Sequence, residues 1–293
     1  RGFGNQQRVI VAGHVFKKYN IRELNPLHSR YHNLRQTLRR FRMRPLAHTK
    51  LHLHVNSLRR IVPSDKNGFF ASAFKVDKKE PGWHNYQVED HNGILYEAEY
   101  FIPSETETGV ISDIDDTLLV SHATRFMRKI MLLLFRNAYS RKTVPQVLKW
   151  YNLLRQMNHN IIPEDFFYVS NSEWNLHDFL TDFFDINGLP KGVFMLRGLK
   201  KGLRDLIKSG KHDSGHKHTM IRFLLDFYPN KPFILVGDSG QKDIEIYSEI
   251  CAFFPKRIKA VLIRKISYKK NDARLENFVK ELAVLDIPFA EFQ

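Results

Sequence analysis

Apolar and polar residues alternate strictly through Leu51-His52-Leu53-His54-Val55, the period of a strand with one buried face. Val9-Ile10-Val11-Ala12-Gly13-His14-Val15-Phe16 is a β-branched run, and more short strands follow before residue 103. Two Asn-Gly turns, in Asp65-Lys66-Asn67-Gly68 and Asp90-His91-Asn92-Gly93, suit tight hairpins because Asn and Gly reach positive φ at little cost. This rhythm predicts a small antiparallel β-sandwich. One helical segment interrupts it. Tyr31, Leu34, Leu38 and Phe41 fall at helical spacing, Arg30, Arg35, Arg39, Arg40, Arg42 and Arg44 cover the remaining sides, and Pro45 stops the helix. Such a basic amphipathic helix is either a solvated face with a narrow docking stripe or a surface that meets anionic lipid or nucleic acid.

Beyond Pro103-Ser104-Glu105-Thr106-Glu107-Thr108 the pattern changes to short apolar runs separated by helical stretches. The runs are Gly109-Val110-Ile111-Ser112, Phe166-Phe167-Tyr168-Val169, Phe233-Ile234-Leu235-Val236 and Ala260-Val261-Leu262-Ile263. They predict a parallel α/β sheet. The boundary therefore falls between an N-terminal β domain, residues 1–108, with its basic helical insertion, and an α/β domain, residues 109–293.

Charge adds a constraint on partners. The 293 residues carry 46 Lys and Arg against 31 Asp and Glu, a formal net charge of +15. That charge draws acidic partners: nucleic acid, anionic lipid headgroups or phosphorylated small molecules. A hydrophobic content of 43% excludes a disordered chain. The single cysteine, Cys251, can form no internal disulfide and reads as a buried small residue, which points to a reducing, cytoplasmic setting. The longest strongly apolar run, Ile130 to Phe135, is far short of the ~20 residues of a membrane-spanning helix. Arg1 to Arg8 lack an initiator Met and an apolar signal core, so a removed targeting signal stays open.

In parallel sheets ligands bind at the rim where the strands end. Asp113-Ile114-Asp115-Asp116-Thr117 follows the first run and Ser170-Asn171-Ser172 the second. Gly237-Asp238-Ser239-Gly240-Gln241-Lys242-Asp243 follows the third, with Lys217 about twenty residues upstream in a helix start. Asp113 and Asp115 lie two apart on an extended segment, so both side chains leave the same face. A divalent cation would hold two such carboxylates ionised, and an all-oxygen set completed by Asp238 suits Mg2+. One carboxylate can then serve as nucleophile while the other handles protons. Ser170 and Lys217 supply a hydroxyl and a positive charge for phosphoryl oxygens. Each piece alone also fits a turn, a cap or an ordinary loop; it is their joint occurrence at successive strand ends that points to chemistry.

These four motifs resemble those of the haloacid dehalogenase superfamily of phosphatases. The stretches Asp113 to Thr124, Phe166 to Ser172 and Gly237 to Tyr247 resemble, more closely, the actin-patch-protein type phosphatidate phosphatase catalytic domain, over about Gly109 to Ser267. The N-terminal part, with its Asn67-Gly68-Phe69-Phe70 hairpin, is similar to the β domain preceding that catalytic domain in bacterial relatives. The resemblance implies a haloacid dehalogenase-like Rossmannoid sheet with a small cap. It implies that Asp113 is the nucleophile and Asp115 the acid/base. It also implies a magnesium held by Asp113, Asp238 and the main-chain carbonyl of Asp115, and a phosphoryl group held by Ser170 and Lys217. Thr117, Asn171 and Arg197 join the substrate-binding candidates, and Asp243 would orient Lys217 or the metal shell. Asp116, where lipin-type relatives carry Gly, points away from Asp113 and is read as structural.

Other residues invite a ligand reading less. His212, His216 and His218 read as a solvated loop around Lys217, and His52 and His54 as an exposed sheet face. Residues 122–137 form the expected cap. Drawn as a helix they carry Phe126, Met127, Ile130, Met131, Leu133 and Leu134 on one side and Arg125, Arg128, Lys129 and Arg136 on the other, a face for either the domain or a bilayer. The expectation is a magnesium-dependent phosphatidate phosphatase, peripheral to the membrane through its anionic phospholipid substrate, with nucleic acid not expected as partner. The alternatives are a phosphomonoesterase acting on a soluble or protein-borne ester, and a non-catalytic module binding anionic lipid or nucleic acid.

Overall fold

The computed structural model describes residues 1–17, 44–77, 79–114, 150–154, 165–174, 177–197, 215–239, 242–265 and 273–292. The first seven strands are β1 (Gly2–Gly4), β2 (Arg8–His14), β3 (Lys50–Val55), β4 (Leu58–Pro63), β5 (Phe69–Lys75), β6 (Gly82–Glu89) and β7 (Leu95–Ile102). They form one sheet in the order β4-β3-β6-β7-β1-β2-β5, antiparallel except where β1 runs parallel to β7. Both Asn-Gly turns are present: Gly68 and Gly93 adopt φ of 72 and 78°, and the carboxylates of Asp65 and Asp90 accept backbone N–H bonds across them.

The expected sandwich is corrected to a single curled sheet. Alternation sends Val9, Val11, Leu51, Leu53, Val55, Phe74 and Tyr100 into one apolar cluster on the concave side. Because β1 pairs with both β2 and β7, the two halves join into one sheet and cannot stack as two. Arg60 of β4 links the ends of the curl, donating to the Ala73 carbonyl at 2.8 Å and to Ser72 Oγ at 3.1 Å on β5.

The second sheet contains β8 (Gly109–Asp113), β9 (Phe166–Glu173), β10 (Gly192–Arg197), β11 (Phe233–Asp238), β12 (Ile258–Arg264) and β13 (Phe289–Phe292). All six are parallel, in the order β10-β9-β8-β11-β12-β13. Helices α1 (His177–Ile186), α2 (His216–Phe227), α3 (Asp243–Phe253) and α4 (Ala273–Val284) connect successive strands from β9 onward. Counted from β8 the order is 3-2-1-4-5-6, a doubly wound sheet whose order reverses between β8 and β11. Every residue of β8 and β11 is buried, as expected of strands covered on both faces.

The two sheets share a core. Phe3, Ile10, Ala12, Phe69 and Phe101, on the convex face of the first sheet, belong to the same cluster as the parallel strands and α2. Phe3 meets the rings of Phe223 and Phe227 edge-on at 5.9 and 5.4 Å. Below the parallel sheet, at the ends where its strands start, the buried Lys231 ammonium pairs with Asp165 and donates to the carbonyls of Ser104 and Glu107 at 2.7 and 2.6 Å. Among the described residues no helix is long and apolar enough to cross a membrane.

Candidate active site

Asp113 ends β8 and Asp238 ends β11, so the two carboxylates stand side by side at the point where the strand order reverses. Register fixes their levels: Ser112 is opposite Val236, and Asp113 is opposite Val169 on β9, one residue before Ser170. Ser170 is buried within β9, and Asn171 is exposed at the next position.

Lys217 enters from the first turn of α2, which follows Gly215, where φ of 53° turns the chain into the helix without a side-chain cap. A cation in the first turn opposes the helix dipole. Two carboxylates offset this. Lys217 Nζ lies 2.8 Å from Asp113 Oδ1 and 2.7 Å from Asp243 Oδ1. Burial works against the ammonium, yet Asp113 and Asp243 outweigh it and hold its pKa above the ordinary lysine value.

Asp243 opens α3, where the dipole favours an anion. Its Oδ1 accepts from Lys217, and its Oδ2 accepts from the Asp238 N–H at 3.2 Å. One carboxylate thus fixes both the lysine and the backbone that carries Asp238. Gly237 makes room for it, since a Cβ there would stand 2.8 Å from Asp243 Oδ2 and 2.7 Å from the Tyr247 ring. Burial pushes the Asp243 carboxyl well above its usual range. Repulsion from Asp113 and Asp238 adds to this, and Lys217 opposes it.

The donor set fits a hard cation. Carboxylate oxygens of Asp113, Asp238 and Asp243 lie within 4.8 Å of one another, all three residues are buried, and Asp113 Oδ2 has no hydrogen-bond partner among the described residues. Asp243 bonds Lys217 through one oxygen and the Asp238 N–H through the other, and Asp113 and Asp238, at the ends of the neighbouring strands β8 and β11, are the carboxylates that would hold such a cation.

Of the residues expected from the sequence, Asp113, Lys217, Asp238 and Asp243 converge, and Ser170 stands on the neighbouring strand. Asp115 and Thr117 lie outside the described residues, as do the basic helix except Arg44, the 122–137 cap and His212. The Arg197 main chain ends β10, paired with Glu173, and its side chain is outside the described residues. His216 and His218 are corrected from a solvated loop to buried positions in the first turn of α2, where His218 faces Glu249 at 3.2 Å. Cys251 is buried as expected. Sequence reasoning missed Arg264, buried at the end of β12 opposite Asp238, although its place one residue beyond an apolar run was the available signal. It also missed Tyr151, whose hydroxyl bonds Ser112 Oγ behind Asp113.

Fold and site together define a doubly wound α/β protein with a buried lysine–carboxylate centre at its switch point. A family model described as "Phosphatidate phosphatase APP1, catalytic domain" matches residues 108–265, just over half of the chain. The chain belongs to that family. It is 32% identical over 164 residues to phosphatidate phosphatase APP1 of Saccharomyces cerevisiae, and 26% identical over 172 residues to the uncharacterized protein C29B5.04c of Schizosaccharomyces pombe. These matches cover 56% and 58% of this chain and 27% of each relative, so the chain spans about a quarter of their length. Among solved structures, a carbohydrate acetylesterase from Xanthomonas citri aligns with 99% of this chain and 66% of its own, at 11% identity and a TM-score of 0.32, a likeness too slight to carry an argument.

Proposed function

We propose that this chain is a magnesium-dependent phosphatidate phosphatase that releases diacylglycerol and phosphate through a phosphoaspartate on Asp113. The observation that carries the reading is the buried Lys217 ammonium held between Asp113 and Asp243 with Asp238 alongside, in a chain of the phosphatidate phosphatase catalytic-domain family. Lys217, 2.8 Å from Asp113 Oδ1, orients the Asp113 carboxylate as a nucleophile toward phosphorus. As the phosphoryl group moves onto Asp113, the Lys217 ammonium and the Ser170 hydroxyl offset the charge on its oxygens. Asp115 gives a proton to the departing glyceride oxygen, then takes one from the water that cleaves the acyl phosphate. Magnesium, when held by Asp113 and Asp238, supplies positive charge next to the phosphoryl group. Asp243 keeps Lys217 in place and stays outside the chemistry.

The test is phosphate release from phosphatidate vesicles, lysophosphatidate and a panel of soluble phosphate esters, each with magnesium and with chelator. Fastest release from phosphatidate, lost with chelator, supports the reading. Faster turnover of a soluble ester would assign the site to a soluble phosphomonoesterase, and no turnover of any ester would leave a binding module.

A further inference from the structure

The curled sheet does not close by a hydrogen-bonded ladder: its order ends at β4 on one side and β5 on the other. Between these edges runs a groove of about 510 Å³ lined by Arg8, Arg59, Arg60 and Lys75 together with Leu58 and Phe74. Four cations meet there with no acidic residue in the lining, and none of them has an ion-pair partner among the described residues. Arg60 is held in advance, its guanidinium 5.0 Å from the centre of the Phe74 ring and bonded to Ser72 and Ala73. Beside the cations, Leu58 of β4 is an aliphatic side chain of the lining that is 40% exposed.

We infer that this seam is a docking surface for anionic phospholipid headgroups on a bilayer. The arginines and lysine meet the negative surface, and Leu58 of the groove lining enters the boundary between headgroups and acyl chains. Single-stranded nucleic acid would instead call for exposed aromatic platforms, whereas the one aromatic ring of this groove, Phe74, is 1% exposed. The seam is separate from the site at Asp113. Strand β2 spans seven residues from Arg8 to His14, whose ring lies 5.3 Å from Trp174 just past the end of β9. The groove end at Arg8 therefore lies at the far end of β2, roughly 20 Å along the strand from His14 and Trp174, at about 3.3 Å per residue.

The choice of lipid as the occupant rests on the proposed phosphatidate activity, and vesicles without phosphatidate keep the two questions apart. Sedimentation is measured with vesicles of phosphatidylcholine alone and of phosphatidylcholine with phosphatidylserine. Each Lys or Arg at an anionic surface strengthens binding about fivefold, so R8Q/R59Q/K75Q should lose about a hundredfold in partitioning to the mixed vesicles. L58S should also bind more weakly. K256Q/K259Q/K280Q removes the same charge elsewhere on the exposed surface and should stay near the parent. Melting temperature and turnover of p-nitrophenyl phosphate should not change in the groove variants. The inference is overturned if the groove variant sediments like the parent, if the control variant loses as much, or if the parent binds an acidic polypeptide or an oligonucleotide more tightly than the mixed vesicles. Absence of any phosphatase activity would refute the catalytic reading and leave the binding result standing.

Discussion

Replacing Lys231 with Met removes a buried ammonium on which three groups depend. Lys231 is 2% exposed, pairs with Asp165, and donates to the carbonyls of Ser104 and Glu107, so it ties the starts of β8, β9 and β11 together. Burial pushes the Asp165 carboxyl up to about 6 even with Lys231 beside it, and burial likewise lowers the Lys231 pKa. Without the cation Asp165 stays buried and loses its partner, which costs about 3–5 kcal/mol. Two carbonyls stripped of their donor add about 1 kcal/mol or more. At about 2–4 °C per kcal/mol for a chain of this size, the melting temperature should fall by roughly 10 °C or more. The sign of the pH dependence follows from the raised Asp165 pKa. What Asp165 contributes is fully present below its unfolded value of 3.8 and is lost as pH rises through about 6. In K231M the folded pKa moves higher still, so the deficit should be smallest near pH 5 and largest near pH 8, at roughly those values. D165N/K231M should recover a large part of it. Circular-dichroism melts of the parent and both variants at the two pH values decide. A K231M deficit below about 1 kcal/mol, or one that does not change with pH, would refute the reasoning.

Three further outcomes are expected. Asp243→Asn should lower kcat about a hundredfold with KM little changed, because Lys217 loses one of its two anchors and shifts in the site; unchanged kcat would mean that Asp113 alone fixes the lysine. Gly237→Ala should cut kcat as well, since the added methyl meets Asp243 and Tyr247, and full activity in a folded variant would show that both can move aside. Burial lowers the His14 pKa to about 4, below the ordinary 6.5, so its contribution to stability is present above pH 6.5 and is lost as pH falls through 4. His14→Phe should therefore gain about 2 kcal/mol at pH 5 relative to its effect at pH 8, read from melts at both pH values, and equal effects would contradict a buried neutral imidazole.

Much of this site was legible because parallel strands read as apolar runs and the residues after them fall on one rim. Asp113 and Asp238 were found that way, and Lys217 through its position at a helix start. The five-residue spacing from Asp238 to Asp243 carries the chain from the strand end into α3, which is why one carboxylate can reach both Lys217 and the Asp238 N–H. The curl of the first sheet was not legible. Alternation says which side chains face inward but not that Gly2–Gly4, three residues with two glycines, would slip between β2 and β7 and join them. β10 and β13 were missed as strands of the sheet, the first hidden beside Arg197 and the second only four residues long. Lys231 gave no sign of its role in the sequence, because a lysine ahead of a proline reads as loop and its three partners come from distant segments.

The central claim is that Asp113 takes the phosphoryl group from phosphatidate. It is tested most directly by mixing the full chain with phosphatidate carrying a labelled phosphate, quenching in acid during turnover, and measuring label on the protein. Label should appear on the parent chain, be released by hydroxylamine as an acyl phosphate is, and be absent from a folded Asp113→Asn variant. Turnover of phosphatidate without label on the chain, or label that persists in Asp113→Asn, would contradict the account.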